Sequence, residues 1–398
     1  MNLLILADDL TGAADSAARC HHAGLDAHVY LSPPSRALPE GAAAFSTDSR
    51  YLSPVEAATQ VRNLLQALPV SEEAQWYKKI DSTLRGNIGA ELDALLAALP
   101  TQNAQPCAVI CPAFPAQGRG LENGYLVYAQ APQPPLHLPT LLATQTERMV
   151  TAIVLDDVRR DVAHLAEKMA VAVEQGAQLL VVDALTEADL DQLLAATHQA
   201  LPHALLCGSA GLIEPLARER AKNLPRTLPV YAETGEIRSP MLAVIGSGSR
   251  MAHRQLAKLR ACSQVICGEL APGSPLPNLA SDLVNPSRAW ALHLPEPGEQ
   301  VLLEGATARQ FVAQLTDAAV AWIQRLQPQT LLIVGGDTAV HLLEALGIEQ
   351  LTIVAELMPG IPLSVGQDKT GQLWRIITKA GNFGDEATLV RLFQRAKL

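Results

Sequence analysis

Aromatic residues make up only 4% of this 398-residue chain, and its six cysteines form no CxxC pair. Without that spacing, a zinc ribbon or a thioredoxin-type redox centre has no support. Most of the cysteines lie in apolar runs such as residues 107–111, where a thiol behaves as a small buried hydrophobe. We therefore expect reduced cysteines in the core of a cytoplasmic protein.

Segments that mark export or membrane insertion are also missing. The apolar run from Leu3 to Ala7 has no basic residues before it and no small-residue cleavage site after it, so no signal peptide is expected. No apolar stretch reaches the length of a membrane-spanning helix. A formal net charge of −10 argues against a general surface for nucleic acid or anionic membranes.

Several familiar catalytic signatures do not occur. No GxxxxGK[ST] sequence is found, which excludes a P-loop kinase. None of the ten histidines has metal-ligand spacing, and Ser209 lacks the GxSxG context of a serine hydrolase. The glycines at 246–251 do not complete a dinucleotide fingerprint, because Met251 occupies the third glycine position.

What the chain does have is a regular alternation of short β-rich runs and amphipathic stretches, which predicts βαβ units and a mostly parallel sheet. The alternation lapses between residues 222 and 239, where prolines and polar residues are typical of a linker. A chain of 398 residues also exceeds one ordinary core. We predict an α/β protein of two lobes, residues 1–225 and 239–398. Each is expected to be a mostly parallel sheet flanked by helices, with the active site in the cleft between them.

Two acids follow the first predicted strand. Asp8 and Asp9 lie where this strand gives way to a helix, and α/β sheets bind ligands beyond the carboxyl ends of their strands. Both can serve one site if the strand has already ended at Ala7. Otherwise one contacts a ligand and the other caps the helix. Their spacing does not match the DxDxT pattern of phosphatases.

A denser polar cluster follows the strand predicted at residues 75–80. Within seven residues it supplies cations, a carboxylate and hydroxyls, namely Lys79, Asp81, Ser82, Thr83 and Arg85. This set suits a ligand with one carboxylate and several hydroxyls, because arginine binds a carboxylate bidentately and aspartate accepts from a sugar hydroxyl. Arg50 could add a second cation. A purely structural role would leave Lys78 facing solvent and Asn87 capping the next helix.

Three glycine turns in the second lobe each follow a predicted strand and precede a helix. They lie at residues 246–249, 334–339 and 379–386. Glycine lets the backbone approach a phosphate, and the N-terminus of a helix favours an anion. Together the turns indicate a nucleotide site built without a P-loop. Asp337 either holds Mg²⁺ through water or caps its helix, and the cap is the simpler interpretation.

These motifs resemble those of the four-carbon acid sugar kinase family, long catalogued as a domain of unknown function. The matching segments are ADDLTGA (7–13), KIDSTLRGN (79–87), PAFP (112–115), GSAGL (208–212), GGDT (335–338) and KAGNFG (379–384). The resemblance extends in the same order from residue 5 to near residue 390. It implies a substrate-binding first lobe and a nucleotide-binding second lobe. By itself, the proline-rich segment around Arg119 indicates only a rigid connection.

The resemblance implies ATP-dependent phosphorylation, with Mg²⁺, of the terminal hydroxyl of threonate, erythronate or a 3-oxo derivative. It implies substrate contacts from Asp8, Asp9, Arg50, Lys79, Ile80, Asp81 and Ser82. The composition of the polar cluster adds Arg85 to the expected substrate contacts. It implies ATP contacts from Ser247, Gly335, Gly336, Asp337, Thr338, Gly381, Asn382, Phe383 and Gly384. Either Asp81 or Asp9 would accept the hydroxyl proton. Apart from the alternative role of Asp337, the sequence indicates no metal ligand.

The chain departs from the family pattern in two places. APQPP at residues 131–135 replaces a hydrophobic-glycine pattern, and Gly248 stands where a cysteine is common. The first departure leaves the exact substrate open. The alternatives are a non-catalytic two-lobe sugar-acid-binding protein and an NAD-dependent dehydrogenase, the latter opposed by the incomplete glycine fingerprint. The expected partners are a small sugar acid and ATP, without nucleic acid or membrane. A homo-oligomer is left open.

Overall fold

The computed structural model describes residues 2–34, 37–68, 74–99, 106–129, 135–222, 236–271, 289–295 and 306–396. The chain divides into two compact units, and each is described by itself. Unit 1 comprises Met1–Ala27 and Pro33–Arg226, and unit 2 comprises His28–Ser32 and Thr227–Leu398. Most of the expected linker (223–235) and most of APQPP (131–134) lie outside the described residues.

The described strands are listed here in chain order. They are β1 (Leu3–Ala7), β2 (Ala27–Tyr30), β3 (Ala42–Ser46), β4 (Gln75–Lys79), β5 (Ala108–Cys111), β6 (Arg119–Glu122), β7 (Tyr125–Tyr128), β8 (Val150–Ile153), β9 (Leu179–Val182), β10 (Leu205–Gly208), β11 (Met241–Ile245), β12 (Val265–Glu269), β13 (Ala289–His293), β14 (Thr330–Val334), β15 (Gln350–Met358), β16 (Ile361–Gln367) and β17 (Leu373–Lys379).

The described helices follow the same numbering. They are α1 (Leu10–His22), α2 (Pro54–Ala67), α3 (Ile88–Ala98), α4 (Leu138–Ala143), α5 (Leu155–Val158), α6 (Val162–Glu174), α7 (Glu187–Ala200), α8 (Ala210–Ala221), α9 (Arg250–Arg260), α10 (Ala306–Leu326), α11 (Gly336–Ala345) and α12 (Thr388–Arg395).

Unit 1 is built on a seven-stranded sheet in the order β3-β1-β4-β10-β5-β9-β8, with every neighbouring pair parallel. Strands β1, β5 and β9 are buried along their whole length, as expected of strands covered on both faces. A separate antiparallel hairpin, β6–β7, lies outside this sheet. The mostly parallel α/β architecture predicted from the sequence is confirmed.

Unit 2 combines a parallel and an antiparallel half. Strands β12, β13, β11, β14 and β17 are parallel in that order, and β16, β15 and β2 continue the sheet in antiparallel fashion. Strand β2 reaches this sheet from the N-terminal part of the chain, with Val29 opposite Leu351. The short apolar run at 27–31 is typical of a strand, but its partner depends on tertiary contacts that the local sequence does not specify.

Local signals explain why some boundaries could be predicted. Helix α2 begins after Ser53, whose hydroxyl accepts from the Glu56 N–H while the Glu56 carboxylate accepts from the Ser53 N–H. This capping box and the proline at the first helical position fix the start of the helix. The sequence pattern did not indicate β3, the β6–β7 hairpin, α4, β8, α5, α6, α8, β13 or β16.

The expectation of core cysteines holds for only part of the set. The buried thiols are Cys20, Cys107, Cys111 and Cys207, whereas Cys262 and Cys267 are partly exposed. Cys267 lies on β12, which is an edge strand and therefore less covered than a central one. Within the described residues, no helix combines the length and apolar character that a membrane span requires.

Candidate active site

Three neighbouring parallel strands of unit 1 end at one edge of the sheet. In the ladder, Ala7 of β1 lies opposite Ser46 of β3 and Lys79 of β4. The chain therefore delivers Asp8 and Asp9, residues 47–50 and residues 80–85 to the same edge. This is the edge at which open α/β sheets bind ligands.

Arg50 connects the two acids that follow β1. Its Nε and Nη2 donate to the two oxygens of Asp8 at 2.7 and 2.8 Å, and its Nη1 donates to Asp9 Oδ2 at 2.7 Å. Burial would raise the pKa of Asp8, but the charge and hydrogen bonds of Arg50 outweigh it and hold that pKa below its ordinary value. Arg50 therefore stabilises the ionised form of Asp8 and holds both acids in place around one guanidinium.

Asp9 also caps helix α1. Its Oδ1 accepts from the Gly12 N–H at 2.7 Å, and its Oδ2 accepts from the Thr11 hydroxyl at 2.7 Å. The strand has ended at Ala7, so Asp8 and Asp9 can both turn toward Arg50. Asp9 therefore caps the helix and at the same time shares Arg50 with Asp8.

Asp81 holds a second arginine. Its Oδ2 accepts from the Thr83 hydroxyl and from Arg85 Nε, both at 2.5 Å. Burial works against the charge of Asp81, but Arg50 and Arg85 dominate and keep the pKa of this carboxyl far below its ordinary range. Asp81 Oδ1 accepts no hydrogen bond from the described part of the chain. One carboxylate oxygen thus stays available.

Lys79 and Ile80 lie between these two ion-pair groups. The Lys79 ammonium donates to the Ile80 carbonyl oxygen at 2.9 Å. A Cβ built at Gly12 would meet Asp9 Oδ1 at 2.7 Å and Lys79 Nζ at 3.2 Å, so the glycine gives the lysine room beside the acid. The Ile80 side chain is buried with the core and its N–H donates to the Gly208 carbonyl at 2.9 Å, which leaves only its carbonyl oxygen for a ligand.

Lys78 does not face solvent, contrary to the sequence-based expectation. Its side chain is 0% exposed and forms an ion pair with Glu91 of α3. Glu91 also accepts from the Ser49 hydroxyl at 2.5 Å, and Ser49 contacts Thr47 at 2.6 Å. Strand alternation points Lys78 and Lys79 to opposite faces, but here a helix covers the second face.

Asn87 precedes helix α3, but its side chain does not cap the helix as expected. Its amide instead donates to the carbonyl oxygens of Ser49 (3.2 Å) and Leu52 (2.8 Å). The asparagine therefore fixes the loop that carries Arg50.

Arg119 joins the site although its sequence context indicated only a rigid connection. Its Nη1 donates to the Ser82 hydroxyl. Burial lowers the pKa of Arg119, and the charge of Asp81 opposes that effect. The β6–β7 hairpin that carries Arg119 is fixed at its turn by Asp183, which accepts from the N–H groups of Asn123 and Gly124. This placement of Arg119 could not be predicted, because Asp183 lies far from it along the chain.

The strand-end cluster of unit 1 carries three carboxylates and four cations, an excess of one positive charge. Its members are Asp8, Asp9, Arg50, Lys79, Asp81, Ser82, Arg85 and Arg119. Such a cluster can receive one anionic group together with hydroxyls.

Two other sequence motifs of unit 1, GSAGL (208–212) and PAFP (112–115), contribute to packing. A Cβ at Gly208 would lie 2.3 Å from the Cys111 carbonyl oxygen, and one at Gly211 would lie 2.3 Å from that of Ala113. The Ser209 hydroxyl donates to the Ala113 carbonyl at 2.8 Å. GSAGL therefore allows a close approach of backbones beside PAFP, and neither segment has to contact a ligand to explain its residues.

Unit 2 repeats the strand-end arrangement. Ile245 of β11 lies opposite Val334 of β14, which lies opposite Lys379 of β17, so three glycine turns leave one edge together. The Ser247 N–H donates to the Val334 carbonyl at 3.2 Å, and the Gly335 N–H donates to the Lys379 carbonyl at 3.0 Å. The predicted ATP residues are thus gathered along adjacent strands.

The three turns touch closely. A Cβ at Gly381 would lie 1.9 Å from Ser247 Oγ, and one at Gly246 would lie 2.1 Å from Thr338 Oγ1. Gly335 has a φ of +119°, which side-chain-bearing residues rarely adopt. The glycines are therefore needed for the approach of one turn to the next.

Helix α11 begins without a side-chain cap. Its N-cap is Gly335, and Asp337 lies in the first turn, so the expected capping role of Asp337 is wrong. Gly336 opens the helix, and the N-cap residue Gly335 has no side chain to offer the first turn an acceptor. Such a helix start favours an anion.

The last predicted ATP segment, residues 381–384, is fixed by hydrogen bonds from helix α9. Gln255 of α9 donates to the carbonyl oxygens of Phe383 (3.0 Å) and Asp385 (2.8 Å). Gly384 has a φ of +79°, and Asn382 is exposed. Among the residues that the structure describes, no three His, Cys, Asp or Glu side chains are grouped to hold a metal ion.

Comparison with known proteins matches both units. A family model described as a sugar-binding N-terminal domain covers residues 3–216, and one described as a nucleotide-binding C-terminal domain covers residues 242–389. The chain belongs to the four-carbon acid sugar kinase family. A D-threonate kinase of Cupriavidus necator is 34% identical over 99% of this chain and 98% of that protein. A D-threonate kinase of Bordetella bronchiseptica is 31% identical over 98% of this chain and 96% of its own.

Other members of the family that resemble this sugar-acid kinase carry the names D-erythronate kinase and 3-oxo-tetronate kinase. A crystal structure from Salmonella typhimurium LT2, provisionally described as a tRNA synthase, superposes with a TM-score of 0.74 at 25% identity. It covers 100% of this chain and 98% of its own. The whole length of the chain therefore shares its fold with a solved protein.

Proposed function

We propose that this kinase transfers the terminal phosphoryl group of ATP to the 4-hydroxyl of a four-carbon sugar acid, with D-threonate as the first candidate. The observation that carries the proposal is the positively charged strand-end cluster of unit 1, in a chain whose full-length relatives are named D-threonate kinase. A monoanionic acid with several hydroxyls matches both the charge and the donor set of this cluster.

Within the cluster, the arginines divide into two roles. Arg50 gives three hydrogen bonds to Asp8 and Asp9, so its role is to fix these two carboxylates as acceptors for substrate hydroxyls. Arg85 has a side chain that is 43% exposed, and with Arg119 it is the better partner for the substrate carboxylate. Lys79, Ser82 and the carbonyl oxygen of Ile80 complete the proposed substrate contacts.

Unit 2 would hold the nucleotide through main-chain N–H groups. The proposed contacts are Ser247, Gly335, Gly336, Asp337, Thr338, Gly381, Asn382, Phe383 and Gly384. The uncapped start of α11 and the close glycine turns support this assignment, because both offer amide donors to phosphate oxygens.

The proton acceptor is assigned to Asp81 in preference to Asp9. Both oxygens of Asp9 already accept hydrogen bonds, whereas Asp81 Oδ1 accepts none from described residues. A carboxyl whose pKa is held low is a weak base, but phosphoryl transfer through a loose transition state asks mainly for positioning of the hydroxyl. Asp81 would orient that hydroxyl and receive its proton late.

Magnesium is proposed as the partner of the nucleotide rather than of a dedicated protein site. Mg²⁺ in kinases is commonly bound by substrate phosphates, waters and one or two carboxylates. No three-ligand group exists in the described part of the chain, and Asp337 is an acid in the first turn of helix α11. When bound, the metal would neutralise charge on the transferring phosphoryl group.

A coupled assay of ADP release tests the proposal. The purified chain is incubated with ATP and each stereoisomer of threonate and erythronate, with and without Mg²⁺. We expect turnover with D-threonate that requires Mg²⁺. No turnover with any four-carbon acid, under conditions in which ADP binds, would contradict the proposed reaction.

A second candidate substrate is a 3-oxo-tetronate. Full-length relatives with this activity in their names favour it, although at lower identity than those named D-threonate kinase. The same assay, run also with a 3-oxo-tetronate, distinguishes the two candidate substrates, because a ketone at carbon 3 removes one hydroxyl donor. The better substrate is the one with the higher kcat/KM.

A further inference from the structure

Lys379, the last residue of β17, is a fully buried lysine in unit 2. Its ammonium donates to the carbonyl oxygens of Ala380 at 3.0 Å and Gly381 at 3.3 Å. No described carboxylate forms an ion pair with it. Burial lowers the pKa of Lys379 to about 7. A buried cation without a counter-charge is costly, so this position calls for a functional explanation.

Among the residues that the structure describes, the acids on the elements around Lys379 form no ion pair with it. The strands on either side, β14 and β16, contain no ionisable side chain. In the loop that follows, Asp385 pairs with Arg391 at 2.7 Å and Glu386 pairs with Lys258 at 2.9 Å. The remaining ionisable groups on the adjoining elements are Asp337, His341 and Glu344 of α11, Arg375 of β17 and Arg395 of α12.

The orientation of the turn follows from peptide geometry. In a trans peptide unit, the C=O and N–H groups point in opposite directions. Because the carbonyls of Ala380 and Gly381 point at the ammonium, the N–H groups of Gly381 and Asn382 point away from it. Within the described ranges, neither N–H donates to an acceptor. Two successive free amides at a glycine turn form a concavity that suits an anion.

We propose that Lys379 is a positioning residue that couples nucleotide binding to the uptake of one proton. The inference rests on the proposed binding of nucleotide by unit 2. A phosphate accepted by the Gly381 and Asn382 amides places negative charge one peptide unit from the lysine, which favours the protonated amine. The ammonium in turn polarises both carbonyls and strengthens the two N–H donors. The proton is taken from solvent onto Nζ.

Isothermal titration of the full chain with ADP and Mg²⁺, between pH 6.5 and 8.5, tests this coupling. Each titration is done in two buffers of different ionisation enthalpy, which yields the number of protons taken up. For the wild type we expect uptake approaching one proton near pH 8. We also expect the Kd to rise with pH, by about tenfold for each unit by which bound nucleotide raises the pKa of the lysine.

Three variants distinguish proton uptake by Lys379 from proton uptake by the nucleotide itself. Lys379→Met should lose the additional proton uptake and the associated rise of Kd with pH. Lys379→Arg, which stays charged, should retain tight binding at pH 8.5 without the uptake. Lys369→Met changes a lysine whose side chain is 75% exposed and should match the wild type.

The outcomes separate this inference from the proposed function. Equal proton uptake by the wild type and Lys379→Met overturns the coupling while leaving nucleotide binding intact. Failure of the wild type to bind ADP overturns both. Should neither variant at position 379 fold, the wild type decides: no uptake from pH 7 to 8.5 refutes the coupling, and uptake with a rising Kd supports it.

Discussion

Lys78 and Glu91 form an ion pair inside unit 1, and their side chains are 0% and 1% exposed. Removing one partner of a buried pair leaves the other charge uncompensated. We expect Lys78→Met to lower the free energy of unfolding of unit 1 by about 3–5 kcal/mol, measured by urea denaturation. Lys78→Met with Glu91→Leu should recover most of the loss. A single variant as stable as the exposed-site variant Lys369→Met would contradict this account.

Arg50 is expected to be irreplaceable by lysine. A lysine cannot keep two hydrogen bonds to Asp8 and a third to Asp9 in the fixed geometry of the guanidinium. Arg50→Lys should lower kcat/KM for the sugar acid by roughly 10- to 100-fold, the equivalent of one or two charge-assisted hydrogen bonds. The Kd for ADP should not change. An unchanged kcat/KM would show that these acids do not serve the substrate.

Asp81 and Asp9 should respond differently to the loss of charge. Asp81→Asn is expected to lower kcat by about 10²- to 10⁴-fold without changing the Kd for ADP, because it removes the proposed proton acceptor. Asp9→Asn disturbs the α1 cap and should also cost about 1 kcal/mol of stability. Steady-state kinetics and thermal melting of both variants measure these effects on kcat and on stability. Full turnover by both would remove carboxylate catalysis from the proposal.

How far the sequence predicts the site depends on how local its contacts are. Asp8, Asp9 and Asp81 could be placed together because parallel strands deliver their carboxyl ends to one edge. The burial of Lys78 could not be predicted, since it depends on Glu91 of a helix packed on the second face. The contact of Arg119 with Ser82 could not be predicted, because its hairpin is fixed by Asp183, about 60 residues further along the chain.

The same distinction applies to the fold. The start of α2 has a local cause, the Ser53 capping box, so a boundary of this kind can be predicted from the sequence. The pairing of β2 with β15 joins segments more than 300 residues apart in sequence, and no local pattern indicates it. In unit 2, the glycine turns predicted a nucleotide site from the sequence, but the close approach of Gly381 to Ser247 is seen only in the structure.

The ion pairs of the strand-end cluster predict how stability depends on pH. Asp8 and Asp81 have folded-state pKa values below their ordinary values, so their ionised forms stabilise the fold above an unfolded-state pKa of about 4. That stabilisation is lost as the pH falls through the folded-state pKa. We expect a nearly constant melting temperature from pH 7 to 5, a decline below pH 4, and a shallower decline in Asp81→Asn. An equal decline in both chains would refute this dependence.

Gly381 and Gly248 offer a matched test of the nucleotide site. A Cβ at Gly381 would lie 1.9 Å from Ser247 Oγ and 2.7 Å from Ser249 Oγ, whereas a Cβ at Gly248 would meet nothing within 4 Å. Gly381→Ala should therefore displace the serine turn and raise the Kd for ADP at least tenfold, while Gly248→Ala should leave it unchanged. Titration of both variants with ADP and Mg²⁺ measures the difference. Equal affinities would mean that the contact between the two turns does not shape the nucleotide site, and the phosphates would then have to be bound elsewhere in unit 2.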